Sequence, residues 1–294
     1  MQHLLIGDNA FIGVSHLSQL RARERLTQLD LSSYLRVVGA AIKEAATGFS
    51  FTVHPTNTEL LKGLSDSGLL SEDFELYPVL PYAARYVRLM NEKGTGGLLS
   101  ETLSSMHLAE KAKALLKGGF SAVTFDPTGL LTAYLDVELS NILKIPHAKI
   151  HSVLLHEVIT DLGVSFQTST LFEKFTQHIR SKYNAKPGFV TRNFARFVKF
   201  AESSEMSLTD LTVMTPMNSI GFQMVPSKTA CESCLPTMSG EVIAMSILAS
   251  GFLKLEEAVT YLGKLPELAG VVVGVSTEEH ARETFSRLNS LLKR

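Results

Sequence analysis

The chain alternates short apolar runs with longer amphipathic segments over nearly its whole length, and this alternation limits the folds open to it. Nine runs have the β-branched or apolar composition of buried strands. These runs are Leu4–Gly7, Phe51–His54, Leu76–Tyr82, Ala122–Asp126, Ser152–His156, Gly188–Thr191, Leu211–Thr215, Val242–Ile247 and Val271–Val275. A strand followed by a helix, repeated at roughly 25 to 45 residues, predicts βα units and a parallel sheet.

The segments between these runs carry apolar residues at helical spacing. The clearest are Ser33–Ala46, Glu101–Lys117, Phe166–Tyr183, Leu255–Leu262 and Thr277–Leu292. Asp30, Ser32 or Ser33 is expected to cap the first helix, and Ser276 or Thr277 the last. Because eight βα units close a barrel, we predict a single α/β domain over residues 1–294, a TIM-type (β/α)8 barrel with one surplus run. A doubly wound open sheet is the alternative, but Ile6–Ala10 lacks the glycine-rich turn typical of it.

Composition narrows the classes of ligand. The chain has 294 residues, 45% of them hydrophobic and 19% charged, with a net charge of -1, which is typical of a globular protein and gives no field that attracts nucleic acid or an acidic membrane. We therefore expect a small-molecule ligand and leave the oligomeric state open. The N-terminus does not resemble a signal peptide, and the longest apolar stretch, Val242–Leu253, is too short to span a bilayer, so we expect a cytoplasmic protein. Cys231 and Cys234 form a lone C-x-x-C pair, which we interpret as two free thiols.

Polar residues follow nearly every strand-like run. In a (β/α)8 barrel these strand ends form the active-site face. The ring comprises Asp8, Asn9, His54, Tyr82, Asp126, His156, Glu157, Arg192, Asn193, Asn218, Ser246 and Ser276. We expect His54, Asp126, His156 and Asn193 to approach one cavity.

His54, Asp126 and His156 are the candidate catalytic residues. Imidazole and carboxylate groups transfer protons, and they also bind divalent metals. Two interpretations stay open: proton transfer without a metal, or a metal-dependent hydrolase or lyase. Glu157 is adjacent to His156, so one of the two is expected to face away unless the strand has already ended.

The final strand-to-helix connection predicts an anion site. The segment Val271–His280 has the pattern of a strand, a tight turn at Gly274 and a helix that starts near Ser276. The unpaired amides at a helix N-terminus bind phosphate, and barrels often hold phosphate after their last two strands. The opposing consideration is that Glu278 and Glu279 already complement the helix dipole and would repel an anion.

Several segments resemble the aldo-keto reductase superfamily. Val190–Phe194 is similar to that family's G-V-S-N-F segment, Ile243–Gly251 to its S-P-L-x-x-G strand and loop, and Gly274–His280 to its P-G-x-x-x-x-x-H stretch. The resemblance implies a TIM barrel in which Asn193 contacts a nicotinamide carboxamide, Ser246 lies near a pyrophosphate, and Gly274 and Ser276 lie near an adenosine phosphate. NAD(P) is the cofactor that it implies, and a divalent metal is the other cofactor considered.

The catalytic residues of that family are mostly missing. His156 matches its histidine, but its aspartate and tyrosine should fall near Phe51–Asn57, where neither occurs. Its lysine should end the strand Leu76–Tyr82, which ends in Pro81 and Tyr82. We therefore predict a small-molecule enzyme that binds a phosphate-bearing ligand or cofactor and is not a standard carbonyl reductase. The metal-dependent hydrolase or lyase and a non-catalytic ligand-binding barrel remain the alternatives.

Overall fold

A computed structural model describes residues 1–12, 30–82, 127–266 and 268–292. Its strands are β1 (His3–Gly7), β2 (Gly48–Thr52), β3 (Glu75–Leu80), β4 (Lys149–Ile150), β5 (Ser152–Leu155), β6 (Lys186–Val190), β7 (Thr212–Pro216), β8 (Glu241–Met245) and β9 (Gly270–Gly274). Its helices are α1 (Leu31–Lys43), α2 (Pro55–Asp66), α3 (Pro127–Ile142), α4 (Glu157–Ser165), α5 (Ser169–Tyr183), α6 (Phe194–Ser203), α7 (Lys228–Ser233), α8 (Leu255–Leu262) and α9 (Glu278–Leu292). Short 3₁₀ turns cover Asp8–Ala10, Leu235–Thr237 and Ala249–Gly251.

The strands form a closed parallel barrel. Their order is β2-β1-β9-β8-β7-β6-β5-β3, and β2 pairs with β3 to complete the circle. β4 and β5 both pair with β3, so they share one of the eight positions. The eight-stranded α/β barrel predicted from the sequence is confirmed. The predicted strand Ala122–Asp126 and helix Glu101–Lys117 lie outside the described residues, and the described strands close the barrel.

Helix and strand boundaries follow local capping chemistry. Asp30 caps α1, as predicted, because its carboxylate accepts a hydrogen bond from the Ser33 amide at 2.9 Å. β2 ends earlier than predicted because His54 is the N-cap of α2 and Pro55 is its first residue. The predicted helix Phe166–Tyr183 begins at Ser169, and α4 precedes it as a separate helix.

The strands alternate their side chains between two apolar layers. Outward residues pack against the helices, and Phe172, Phe175 and Phe197 surround Phe189 with ring centroids 5.3–5.4 Å from its own. The barrel interior is a second buried cluster of Leu5, Tyr77, Leu154, Val190, Met214, Ile243 and Val272. The apolar interior thus occupies the middle of the barrel and leaves its two ends for polar residues. Within the described ranges, no helix combines the length and the apolar character needed to cross a membrane.

Candidate functional site

The C-terminal strand ends surround a cavity of about 650 Å³. Its wall contains residues that follow or end β1, β2, β3, β5, β6, β8 and β9. Among the candidate residues, His156, Ser246, Gly274 and Ser276 line it. Four of the remaining polar wall residues are Asp8, Tyr82, Glu157 and Arg192. The polar ring predicted at the strand ends therefore meets, in large part, at one cavity.

His156 lies in this wall as the N-cap of α4. Its Nδ1 accepts a hydrogen bond from the Val158 amide at 3.2 Å, which leaves Nε2 to carry the proton of the neutral ring. Burial lowers the pKa of His156, and the Arg192 charge lowers it further, against an opposing effect of Glu157. The ring is therefore neutral at pH 7 and can donate a hydrogen bond from Nε2.

Glu157 and Arg192 form an ion pair beside His156. The guanidinium Nε donates to one carboxylate oxygen at 3.0 Å, and its second nitrogen donates to the other at 2.6 Å. Both residues line the cavity. Because β5 ends at Leu155, His156 and Glu157 do not alternate between faces, and the expected opposition of their side chains does not arise.

His54 lies at the same end of the barrel but is not part of the cavity wall. Its Nδ1 accepts a hydrogen bond from the Thr56 amide at 3.2 Å, so it caps α2 as His156 caps α4. Its ring packs edge-on against Tyr82, which does line the cavity, with centroids 5.5 Å apart. His54 therefore reaches the cavity through Tyr82. Asp126, the third candidate catalytic residue, lies outside the described residues.

Asp8 is a wall residue that the sequence placed in the polar ring without selecting it. Its side chain is buried, with 8% of the residue exposed. One carboxylate oxygen accepts hydrogen bonds from the Thr52 amide at 2.8 Å, the Thr52 hydroxyl at 2.9 Å and the Asn57 amide at 2.8 Å. Burial raises the pKa of Asp8, and these donors only partly offset the rise. Its position directly after the apolar β1 strand was the available signal.

The wall after β8 and β9 has the features expected of an anion site. Ser246, Ala249 and Ser250 have φ angles of 53°, 45° and 61°, so the loop after β8 holds several residues in the left-handed region. Helix α9 starts at Glu278, close to the predicted Thr277, and the Thr277 hydroxyl accepts a hydrogen bond from the His280 amide at 3.2 Å. His280, Ser276 and Gly274 line the cavity.

Asn193 does not line the cavity. It is the N-cap of α6, and its amide donates to the Thr191 hydroxyl at 3.0 Å. Its Oδ1 is buried and has no hydrogen-bond partner among the described residues. The expectation that Asn193 approaches the cavity is met for its neighbour Arg192 instead, because β6 ends at Val190 and α6 begins at Phe194.

The long connection after β7 contributes one wall residue. Gln223 lines the cavity, and its side-chain oxygen accepts a hydrogen bond from the Ser246 hydroxyl at 3.4 Å. Cys231 and Cys234, on the same connection, are free thiols as predicted. Burial raises the pKa of the Cys231 thiol.

The metal alternative finds no centre in this wall. Among residues 1–12, 30–82, 127–266 and 268–292, the group of histidine and carboxylate side chains that meets closely is His3, Glu75 and His151. That group lies at the opposite end of the barrel, and neither His54 nor His156 belongs to it.

Solved structures share this fold. No family model matches the chain, and no curated protein matches its sequence. A proposed aldo-keto reductase from Pseudomonas aeruginosa is 12% identical, with a TM-score of 0.61 over 98% of this chain and 90% of its own. An aldo-keto reductase from Bacillus halodurans, in its holo form, is 9% identical, with a TM-score of 0.57 over 97% and 86%. An aldo-keto reductase from a Medee basin deep-sea metagenome library is 13% identical, with a TM-score of 0.50 over 87% and 80%. The likeness is one of fold.

Proposed function

We propose that the chain is a barrel enzyme that binds a phosphate-bearing small molecule in this cavity. A nicotinamide nucleotide is the first candidate, because the structural neighbours are aldo-keto reductases. One observation carries the proposal: the cavity has an anion end at Ser246, Gly274 and Ser276 and a proton-donating end at His156. Asn193 is assigned to the same ligand through its unpartnered Oδ1, which a small rotation of the side chain would present to an amide donor.

The charges around the anion end favour an anion. Glu278, in the first turn of α9, would oppose a phosphate by itself. Its carboxylate is paired with Arg36 at 3.1 Å and with Arg282 at 3.2 Å, so its charge is compensated. The remaining amides of this first turn and the His280 side chain are then the nearest groups for a phosphate oxygen.

The other end of the cavity supports chemistry at a carbonyl or hydroxyl group. The floor is apolar and contains Val79, Val190, Met214, Met245 and Val272, which suits the face of an aromatic ring. His156 stands above this floor with its Nε2 proton, and Tyr82 is a second hydroxyl donor in the wall. A neutral imidazole can polarise a substrate oxygen without protonating it fully. His54 is proposed as the residue that positions Tyr82.

Standard carbonyl reduction is not part of this proposal. That reaction protonates an alkoxide with a tyrosine made acidic by a lysine, and loss of such an acid costs about 10²–10⁴ in rate. No lysine lines the cavity in the part of the chain that the structure describes. Asn57, in the segment where the tyrosine is expected, is buried and uses its amide to hold Asp8.

A nucleotide titration tests the proposal. We expect NADPH fluorescence to change saturably on binding. Ser276→Glu should weaken binding at least about tenfold, because it adds a carboxylate at the anion end. The control is Ser71→Glu, which places the same charge before β3 at the other end of the barrel and should leave affinity unchanged.

Two results would contradict it. Equal affinities in Ser276→Glu and Ser71→Glu would remove the anion end, and a failure of NADPH, NADH, ADP and phosphate to bind would remove the ligand class. The same samples should show no turnover with a panel of aldehydes and ketones. Turnover abolished by Tyr82→Phe would restore ordinary carbonyl reduction.

A further inference from the structure

A second polar layer lies inside the barrel at its N-terminal end. The first residues of five strands are polar and face inward, two positions before a residue of the apolar interior cluster or its neighbour. They are His3, Glu75, Lys186, Thr212 and Glu241. Their side chains meet below Tyr77, on the side away from the cavity. None of them belongs to the site described above.

A bulge adds a second histidine to this layer. Leu76 pairs with Ile150, but Val79 pairs with Leu154, so the β4–β5 side carries one extra residue between these pairs. His151 is in this interruption, and its amide bonds to the Leu76 carbonyl at 3.0 Å. Such a bulge redirects a side chain. The His151 ring lies against the His3 and Tyr77 rings, at centroid distances of 4.8 Å and 5.0 Å.

Three ligand atoms of this layer converge. Glu75 Oε2 lies 3.1 Å from His151 Nδ1 and 3.4 Å from His3 Nδ1. One atom from each of the three side chains falls within a 4.8 Å span. Tetrahedral zinc, with bonds of about 2.0–2.1 Å, sets its ligand atoms about 3.3 Å apart. Lys149 contacts the other oxygen, Glu75 Oε1, at 3.4 Å, so Oε2 is left to face the histidines.

The opposite nitrogens of both rings point to a second carboxylate. His151 Nε2 lies 3.0 Å from Glu241 Oε2, and His3 Nε2 lies 3.8 Å from Glu241 Oε1. His3 is only 7% exposed, and its Nε2 has no hydrogen-bond partner among the described residues. Histidines that bind a metal characteristically donate the other ring N–H to a carboxylate, which fixes their orientation. Glu241 stands in that position for both rings.

We propose that His3 Nδ1, His151 Nδ1 and Glu75 Oε2 bind one zinc ion, with Glu241 as the carboxylate that orients both histidines. Two neutral imidazoles and a carboxylate are a donor set that suits zinc. In the metal-free protein, the Tyr77 hydroxyl contacts His3 Nδ1 at 3.0 Å and Glu75 Oε2 at 3.2 Å, so it occupies the ligand atoms until zinc replaces it. The ion ties β1, β3 and the bulge between β4 and β5 together. It lies at the N-terminal face, where conserved function in barrels concerns stability.

The test uses the full chain stripped of metal with EDTA. Zinc chloride is titrated against a chromophoric chelator, and cobalt chloride is added separately to read the visible absorption of a tetrahedral site. We expect one equivalent of zinc, a higher midpoint of thermal unfolding, and cobalt bands. His3→Gln and His151→Gln should each reduce affinity more than Glu241→Gln, whose loss should be about 10–100-fold.

His178→Gln is the matched control. His178 also pairs with a carboxylate, Asp136, at 2.7 Å, but lies outside this layer, so its zinc affinity should equal that of the unaltered chain. Circular dichroism checks that each variant is folded. If His151→Gln does not fold, His3→Gln decides, because one nitrogen of that ring makes no hydrogen bond in the metal-free protein. Absence of stoichiometric zinc binding, or equal binding by His3→Gln and His178→Gln, would overturn the proposal.

Discussion

The two ends of the barrel use polar side chains differently. At the C-terminal end, His54 and His156 accept hydrogen bonds from the amides of helices α2 and α4, and Asp8 accepts one from the Thr52 amide. At the N-terminal end, polar side chains bond mainly to one another, as His151 does with Glu75 and Glu241. The first end therefore fixes local backbone, whereas the second joins strands that are distant in sequence.

The direction of the chain explains the difference. A strand of this barrel hands over to a helix at its C-terminal end, and the first turn of that helix has amides that need acceptors. The N-terminal ends of the strands have no such amides inside the barrel. Side chains there face one another across a narrow interior, so opposite charges pair. One end is thereby left with donors for a ligand, and the other with a cross-strand network.

The largest expected effect separates the two ends by stability. The Glu241 carboxylate accepts hydrogen bonds from His151 at 3.0 Å, from Thr212 at 2.9 Å and from Lys186. Burial raises the pKa of Glu241, but these donors outweigh it and hold the pKa well below its usual range. Because Glu241→Ala leaves the cations of this half-buried group uncompensated, we expect the free energy of unfolding to fall by about 3 kcal/mol.

Urea denaturation in EDTA measures this loss without zinc. Glu256→Ala is the control, since Glu256 pairs with Arg287 on the surface and its removal should cost less. NADPH affinity should be unchanged in Glu241→Ala. Equal losses in Glu241→Ala and Glu256→Ala would show that the N-terminal network does not stabilise the barrel.

An intermediate effect is expected at Asp8. Asp8→Ala removes the acceptor of three buried hydrogen bonds, which should lower the free energy of unfolding by about 2 kcal/mol. Asp8→Asn keeps an oxygen for these donors and should lose less. Both values come from urea denaturation. If the two variants lost the same amount, the carboxylate would not be organising the start of α2.

The smallest effect concerns pH. The pKa of His156 is held below its ordinary value of 6.5 by burial and by Arg192. At a pH between these two values the unfolded chain binds a proton that the folded ring does not, so stability falls as pH drops through that window and is fully present above it. We expect His156→Gln to lessen the stability difference between about pH 7.5 and 5.5. His147→Gln, at an exposed position, should leave it unchanged; an identical response from both variants would place His156 in water.

The sequence determined the barrel and most of its active-site face. Runs of apolar residues separated by helical segments leave few folds that bury both, and polar residues after each run mark the C-terminal ends. His156, Ser246, Gly274 and Ser276 were identified in this way and line one cavity. His54 was identified at the correct end, although it reaches the cavity only through Tyr82.

Only the tertiary structure decided which side chains meet. The ion pair of Glu157 with Arg192 joins residues 35 positions apart, and the bond from His151 to Glu241 spans 90 positions. The inward-facing first residues of the strands left a weak signal, a polar residue two places before an interior one, but a one-residue bulge brought His151 into the layer and no periodicity marks it. Local pattern fixes each element because its hydrogen bonds and apolar face are local, whereas a cluster across the barrel depends on register and closure, which involve the whole chain.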